Sequence, residues 1–143
     1  MKIALGSDHA GLELKLLLAD HLRHAGHEVD DLGTHGRESV DYPDFARVVA
    51  TRVASGEVER GLLVCGTGQG MAMTANKVPG VRAAVVSDVF SAKMAMEHND
   101  ARVLCLGQRV VGSGLATELL DAWLGSTFAG GRHGQRVAKI EPA

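Results

Sequence analysis

Cys65 closes the apolar run Leu62, Leu63, Val64 and is followed by Gly66, Gly68 and Gly70 on alternate positions. A strand that ends on a thiol and gives way to a glycine-rich turn sets that thiol at the mouth of the next element. If that element is a helix, its unpaired N–H groups and positive dipole end stabilise the thiolate. Such surroundings bring a thiol pKa from about 8.5 toward neutrality and make it a usable base. The same N–H groups suit a phosphate or a developing oxyanion. The other reading is structural: Cys65 is a small apolar residue ending a core strand, which is how Cys105 reads. Three further loops carry chemistry: "GSDHAG" holds Asp8 and His9, "EHNDAR" holds His98 and Asn99, and "GQRVVG" holds Arg109. An imidazole beside a thiol and the Thr67 hydroxyl is an acid/base set, although a loop histidine can equally be a cap. Arg132 and Arg136 are four apart, which on a helix turns both guanidinium groups to one side. They are either a solvated basic end or a two-pronged grip on a phosphate.

Other patterns exclude competing chemistry. "GTGQGM" has Met71 where the dinucleotide fingerprint requires its third glycine, and it follows the third strand rather than the first. Gly6 to Gly11 has the frame of a phosphate loop, but Leu12 and Glu13 stand where Lys and Ser or Thr are needed. His21, His24 and His27 recur every third residue, yet Gly26 ends the helix before the third, so they share no face and no metal is expected. Two cysteines without a C-x-x-C pair suggest neither a disulfide framework nor a thiolate zinc site. A formal net charge of −2 lacks the basic footprint of a nucleic-acid binder. No run approaches the roughly 18–20 apolar residues of a membrane span. The expectation is a soluble cytoplasmic protein with a small-molecule partner, and neither nucleic acid nor membrane.

The elements that must position these residues follow from periodicity. "KIALG", "HEVDDLG", "GLLVC", "VRAAVV" and "RVLCLG" read as strands. Leu14, Leu17, Leu18, Leu22 and Ala25 recur at helical spacing, as do Phe45, Val48, Val49 and Val53, and then Leu115, Leu119, Leu120, Trp123 and Leu124. Residues 88–97 offer a less regular helix. Alternation of strand and helix predicts one open parallel α/β sheet with helices on both faces. At 143 residues the chain is one domain, and only the glycine-containing basic segment 126–143 breaks the rhythm. Ligands of such sheets sit beyond the carboxyl ends of the strands. All four loops are therefore expected to converge on one sheet edge.

Taken together, "GSDHAG", "DYPDFA", "CGTGQGMAMTANKVPGVRAA", "SAKMAMEHND", "LGQRVVG" and "DAWLGSTFAGGRHGQRV" resemble the type B ribose-5-phosphate isomerases, the family that includes galactose-6-phosphate isomerase subunits. The resemblance runs from the first strand to about Ile140. It implies a Rossmann-like three-layer sandwich around a five-stranded parallel sheet, working in pentose phosphate metabolism without metal or organic cofactor, as a homodimer or dimer of dimers. By the same resemblance Cys65 is the base that moves a proton between C2 and C1 of the sugar, while His98 and Thr67 open the furanose ring. Asp8 holds sugar oxygens, and Asn99 with the amides from Gly66 through Gly68 and Gln69 to Gly70 stabilises the enediolate. His9, Arg132 and Arg136, the last two in the basic segment, bind the phosphate. Asn99, His98 and Arg109 are expected from the neighbouring chain. Some relatives use a glutamate from the next helix as base; Thr74 and Ala75 stand in that region here, with Cys65 retained. A non-catalytic sugar-phosphate sensor and a nucleotide-dependent oxidoreductase are the rival readings. Pentose, tetrose and hexose phosphates all remain open as substrates.

Overall fold

A computed structural model describes residues 1–142. Five strands run β1 (Lys2–Ser7), β2 (Glu28–Asp31), β3 (Arg60–Cys65), β4 (Ala83–Val85) and β5 (Val103–Gly107). The helices are α1 (Leu12–His24), α2 (Tyr42–Ser55), α3 (Gln69–Ala75), α4 (Val89–Asn99), α5 (Ser113–Leu124) and α6 (Arg132–Ala138), with a 3-10 turn over His9–Gly11. The strands pair in the order β2-β1-β3-β5-β4, all parallel. The expected strands are all present, two of them shortened to Glu28–Asp31 and Ala83–Val85.

Alternate side chains of the central strands enter two cores, which makes three layers. Ile3, Leu5, Leu62, Val64, Leu104 and Leu106 face α1, α4 and α5, where Leu14, Leu18, Leu22, Met96, Leu119 and Trp123 meet them. Ala4, Leu63, Cys65, Val103 and Cys105 face α2 and α3, against Ala46, Val49, Met71 and Ala75. Full burial of each such Leu or Val is worth about 1.5–3 kcal/mol, so this double-sided packing fixes the register of the sheet. Leu17, Val48 and Leu115, expected on core faces, lie exposed. They sit at the margins of apolar stripes that are wider in sequence than the arc a sheet can cover.

Local signals set the helix ends. Asp8 Oδ1 accepts from the Gly11 N–H at 3.1 Å, capping the turn that leads into α1. Pro43 enters the first turn of α2, whose end is turned by Gly56 in the left-handed region. Strand order reverses between β1 and β3, because β2 lies on one side of that pair and β4 and β5 on the other. The loops after β1 and β3 therefore splay apart there and open a crevice at the carboxyl edge.

Only three of the four loops converge on that edge. The loop after β1, the loop after β3 and the turn after β5 do so, but "EHND" lies at the amino edge. The correction has a simple cause: α4 starts beyond the carboxyl end of β4 and runs back, so its last turn, Glu97 to Asn99, stands beside the start of β5 at Val103.

Candidate functional site

Cys65 ends β3 directly opposite Gly107 of β5 and is almost fully buried. Its Sγ accepts a hydrogen bond from the Gly68 N–H at 3.1 Å. That donor is aimed by the backbone: Gly68 has φ +80 and stands as N-cap of α3. A Cβ there would be both strained and only 3.1 Å from the Leu106 carbonyl carbon. The loop thus folds back so that an amide points at the sulfur. Cys105 is the contrast. Burial, and secondarily the neighbouring Cys65, push its thiol far above the ordinary range, so it stays a neutral apolar filler.

Not every amide of the loop is left for a substrate oxygen. Gly68 N–H serves the sulfur, and Gln69 N–H donates to Thr67 Oγ1 at 3.3 Å. Gly66 and Gly70 line the cavity above Cys65, together with Asp8, His9, Ala10, Tyr42, Thr67 and Arg109; its volume is about 350 Å³. His9 Nδ1 accepts from the Val40 N–H at 3.2 Å, which leaves Nε2 as the donor of the neutral ring. A second cavity of about 350 Å³ adjoins it, sharing His9, Ala10 and Arg109 and walled by Leu12, Glu13, Arg37 and Gln108.

Arg109 belongs to this same half. Its N–H donates to the Gly66 carbonyl at 3.0 Å and its side chain lies over Gly66, so it stands beside Cys65 of its own chain, contrary to the expectation that a neighbour supplies it. The turn after β5 is short, and strand pairing with β3 leaves it nowhere else to go. Tyr42 is the residue that sequence reasoning missed. Its ring lies so near Gly70 that a Cβ there would fall 2.2 Å from Cε1. The signal was present in "DYP", the chain's one tyrosine opening a helix, but only packing of α2 on α3 brings it to the cavity.

The amino edge carries the rest. His98 and Asn99 occupy the last turn of α4 and are exposed. Arg82 gathers this edge: Nε donates to the Asn99 carbonyl at 2.8 Å, Nη2 to the Asp100 carbonyl and Oδ2 at 3.2 Å each, and Nη1 to Glu141 Oε1 at 2.5 Å. The Ala129 N–H donates to the Glu97 carbonyl at 2.9 Å and ties the C-terminal segment to α4. Buried Arg60 donates to the carbonyls of Trp123 at 2.6 Å and Ser126 at 2.8 Å. On this scaffold His133 stacks on His98, centroids 4.2 Å apart and planes 11° from parallel. Desolvation, then His98, Arg132 and Arg136, hold the His133 imidazole below the ordinary histidine range. Arg132 and Arg136 are exposed on α6, and among the described residues no carboxylate lies within ion-pair distance of either. Of the segment 126–143, Ala143 lies outside the described residues.

Sequence-expected residues thus form two groups in one chain. Asp8, His9, Cys65, Gly66, Thr67, Gly68, Gln69, Gly70 and Arg109 gather at the carboxyl edge; His98, Asn99, Arg132 and Arg136 gather at the other. Among the described residues there is no group of three or more His, Cys, Asp or Glu placed to hold a metal ion. His21 instead meets Asp121 Oδ1 at 2.7 Å, His24 the Asp20 carbonyl at 2.7 Å, and His27 the N-terminus at 3.1 Å. Among the described residues no helix is long and apolar enough to cross a membrane.

Residues 3–140 match the family described as Ribose/Galactose Isomerase. Ribose-5-phosphate isomerase B of Escherichia coli is 51% identical over 139 residues, covering 97% of this chain and 93% of the relative. D-erythrulose-4-phosphate isomerase of Pectobacterium atrosepticum is 43% identical, covering 98% and 93%. The solved structure of Clostridium thermocellum ribose-5-phosphate isomerase B superposes with a TM-score of 0.97 at 57% identity, covering 98% of this chain and 95% of that one.

Proposed function

The chain belongs to the ribose/galactose isomerase family and is a sugar-phosphate isomerase, and from that premise we propose that it interconverts ribose 5-phosphate and ribulose 5-phosphate through an enediolate with Cys65 as base. The observation that carries this reading is the Gly68 N–H on Cys65 Sγ at 3.1 Å, on the floor of the crevice where strand order reverses. A thiolate so supported takes the C2 proton of the open-chain aldose. The electrons move to O1, giving the enediolate; the thiol returns its proton to C1, and the O2 proton passes to O1 as the ketone forms. One base reaching two adjacent carbons suffices, and no electrons leave the substrate, so neither a nicotinamide nor a metal is required by the balance. Gly66 and Gly70, with Asn99, meet the negative oxygen. Asp8 holds sugar hydroxyls, and His9 with Arg132 and Arg136 holds the phosphate.

Asn99, His98, Arg132 and Arg136 reach a Cys65 crevice only from a second copy, which makes the active form a homodimer with two sites shared between subunits. What supports this is their position at the far edge of the sheet and the unpaired state of both arginines. A two-fold dimer brings the amino edge of each chain to the carboxyl edge of the other. The test is mixing. Cys65→Ala and His98→Asn, each nearly inactive alone on ribose 5-phosphate, should regain roughly a quarter of wild-type activity when refolded together, because half of the dimers are mixed and one of their two sites is intact. Failure to regain activity, with mixed dimers demonstrated, would refute the shared site. The relative named for erythrulose 4-phosphate supports a second reading, a tetrose phosphate as substrate. Comparison of kcat/KM for ribose 5-phosphate, erythrose 4-phosphate, allose 6-phosphate and galactose 6-phosphate decides between them.

A further inference from the structure

His98 is an exposed side chain at a helix end, with no hydrogen bond from its ring to any described residue. An imidazole in that situation ordinarily samples several rotamers, yet ring opening needs it held still. Opening a furanose breaks the C1–O4 bond. The anomeric hydroxyl loses its proton as C1=O forms, and O4 gains one, so an imidazole serving those oxygens must keep one orientation while protons move. Within the chain the His98 ring lies against the face of His133, 4.2 Å away and nearly parallel.

We propose that His133 is a positioning residue for His98, which it holds by face-to-face stacking in the orientation that opening of the sugar ring requires. This rests on the isomerase reading given above. Both partners of the stack are anchored independently of substrate. α4 is held at its end by Arg82, on the Asn99 and Asp100 carbonyls. The segment bearing His133 is held before α6 by Ala129 on the Glu97 carbonyl and after it by Glu141 on Arg82. Desolvation, then His98, Arg132 and Arg136, disfavour charging of His133, so it presents a neutral ring to His98. A neutral ring stacked on an imidazolium is attractive; two imidazolium rings repel.

Ribulose 5-phosphate provides the control, because its C5 oxygen carries the phosphate and it cannot close a furanose ring. Exchange of its C1 hydrogen with D2O requires Cys65 and the enediolate but no ring opening. Two rates are therefore followed by NMR: conversion of ribose 5-phosphate, and C1 exchange in ribulose 5-phosphate. For His133→Ala the first should fall about ten- to a hundredfold in kcat with KM within about twofold, while the second stays within about twofold. His133→Phe keeps a ring to stack on and should restore conversion to within about threefold of wild type, whereas His133→Gln, polar but without a ring, should behave as Ala does. Equal losses of conversion and exchange, a loss expressed mainly in KM, or a Phe variant no better than Gln would each overturn the proposal. Wild-type protein that performs neither reaction overturns the isomerase reading, and the proposal with it.

Discussion

The two edges of the sheet are built by different means. At the carboxyl edge, strand ends and backbone amides define the crevice: Cys65 is buried, its donor is a main-chain N–H, and its position is set by pairing with β5. At the amino edge, exposed side chains on helix ends do the presenting, and a few arginines do the holding. Parallel strands explain why. Each crossover helix starts at the carboxyl edge, so unpaired N–H groups and positive dipole ends collect there, while the amino edge receives helix carbonyls. The carboxyl edge therefore offers main-chain donors, and the amino edge cationic side chains. The carboxyl-edge crevice is formed within one chain, whereas Arg132 and Arg136 stand exposed at the other edge.

The sharpest break of this contrast is removal of the base. Cys65→Ala should lower kcat at least 10²–10⁴-fold with KM little changed, as measured by conversion of ribose 5-phosphate. A residual kcat above about a tenth of wild type would hand the base role to another group. At the opposite edge the loss should have the other signature. Arg132→Ala and Arg136→Ala each remove a charge-assisted contact worth about 1.5–3 kcal/mol, so kcat/KM should fall roughly ten- to a hundredfold, mostly through KM. Constants within twofold of wild type would return the two arginines to a solvated basic end.

Arg82→Gln tests the holding rather than the gripping. It leaves the Asn99 and Asp100 carbonyls and Glu141 without their common donor, so amide exchange should quicken over residues 97–100 and 132–141 while β3 and β5 stay protected. Activity should fall less than in the Arg132 and Arg136 variants. Uniform loss of protection across the sheet would mean that Arg82 supports the whole fold and not one edge.

The smallest effect is expected from the other thiol. Cys105→Ala should leave kcat and KM within about twofold, since Cys105 touches only the core between the sheet and α2 and α3. Its mark is on stability at high pH. The folded state retains the Cys105 proton while the unfolded chain releases it above about pH 8.5. Above that pH the unfolded state binds fewer protons, so stability declines as pH rises, by up to about 1.4 kcal/mol per unit for this group. Chemical denaturation of wild type and Cys105→Ala between pH 7 and 10 should show a slope that is shallower in the variant. Identical slopes would mean that the thiol ionises in place.

The layered architecture was legible in the chain because each element announces itself locally. Five β-rich runs and three apolar stripes of helical period survive into the structure, since double-sided burial of strands and one-sided burial of helices write different periods. Cys65 with its alternating glycines was legible for a related reason: strand, close turn and helix start are consecutive in sequence, so their geometry is local. The place of "EHND" was not. A strand-end loop and a helix-end loop look alike in composition, and only the antiparallel return of α4 assigns the second to the other edge. Tyr42 over Gly70, the engagement of the Gly68 and Gln69 amides, and the stack of His133 on His98 arise from contacts between segments distant in sequence. Neither partner's spacing encodes them. Residue types and their order determined what chemistry this chain carries; the crossing direction of its helices decided which groups share a crevice and which stand at the opposite edge of the sheet.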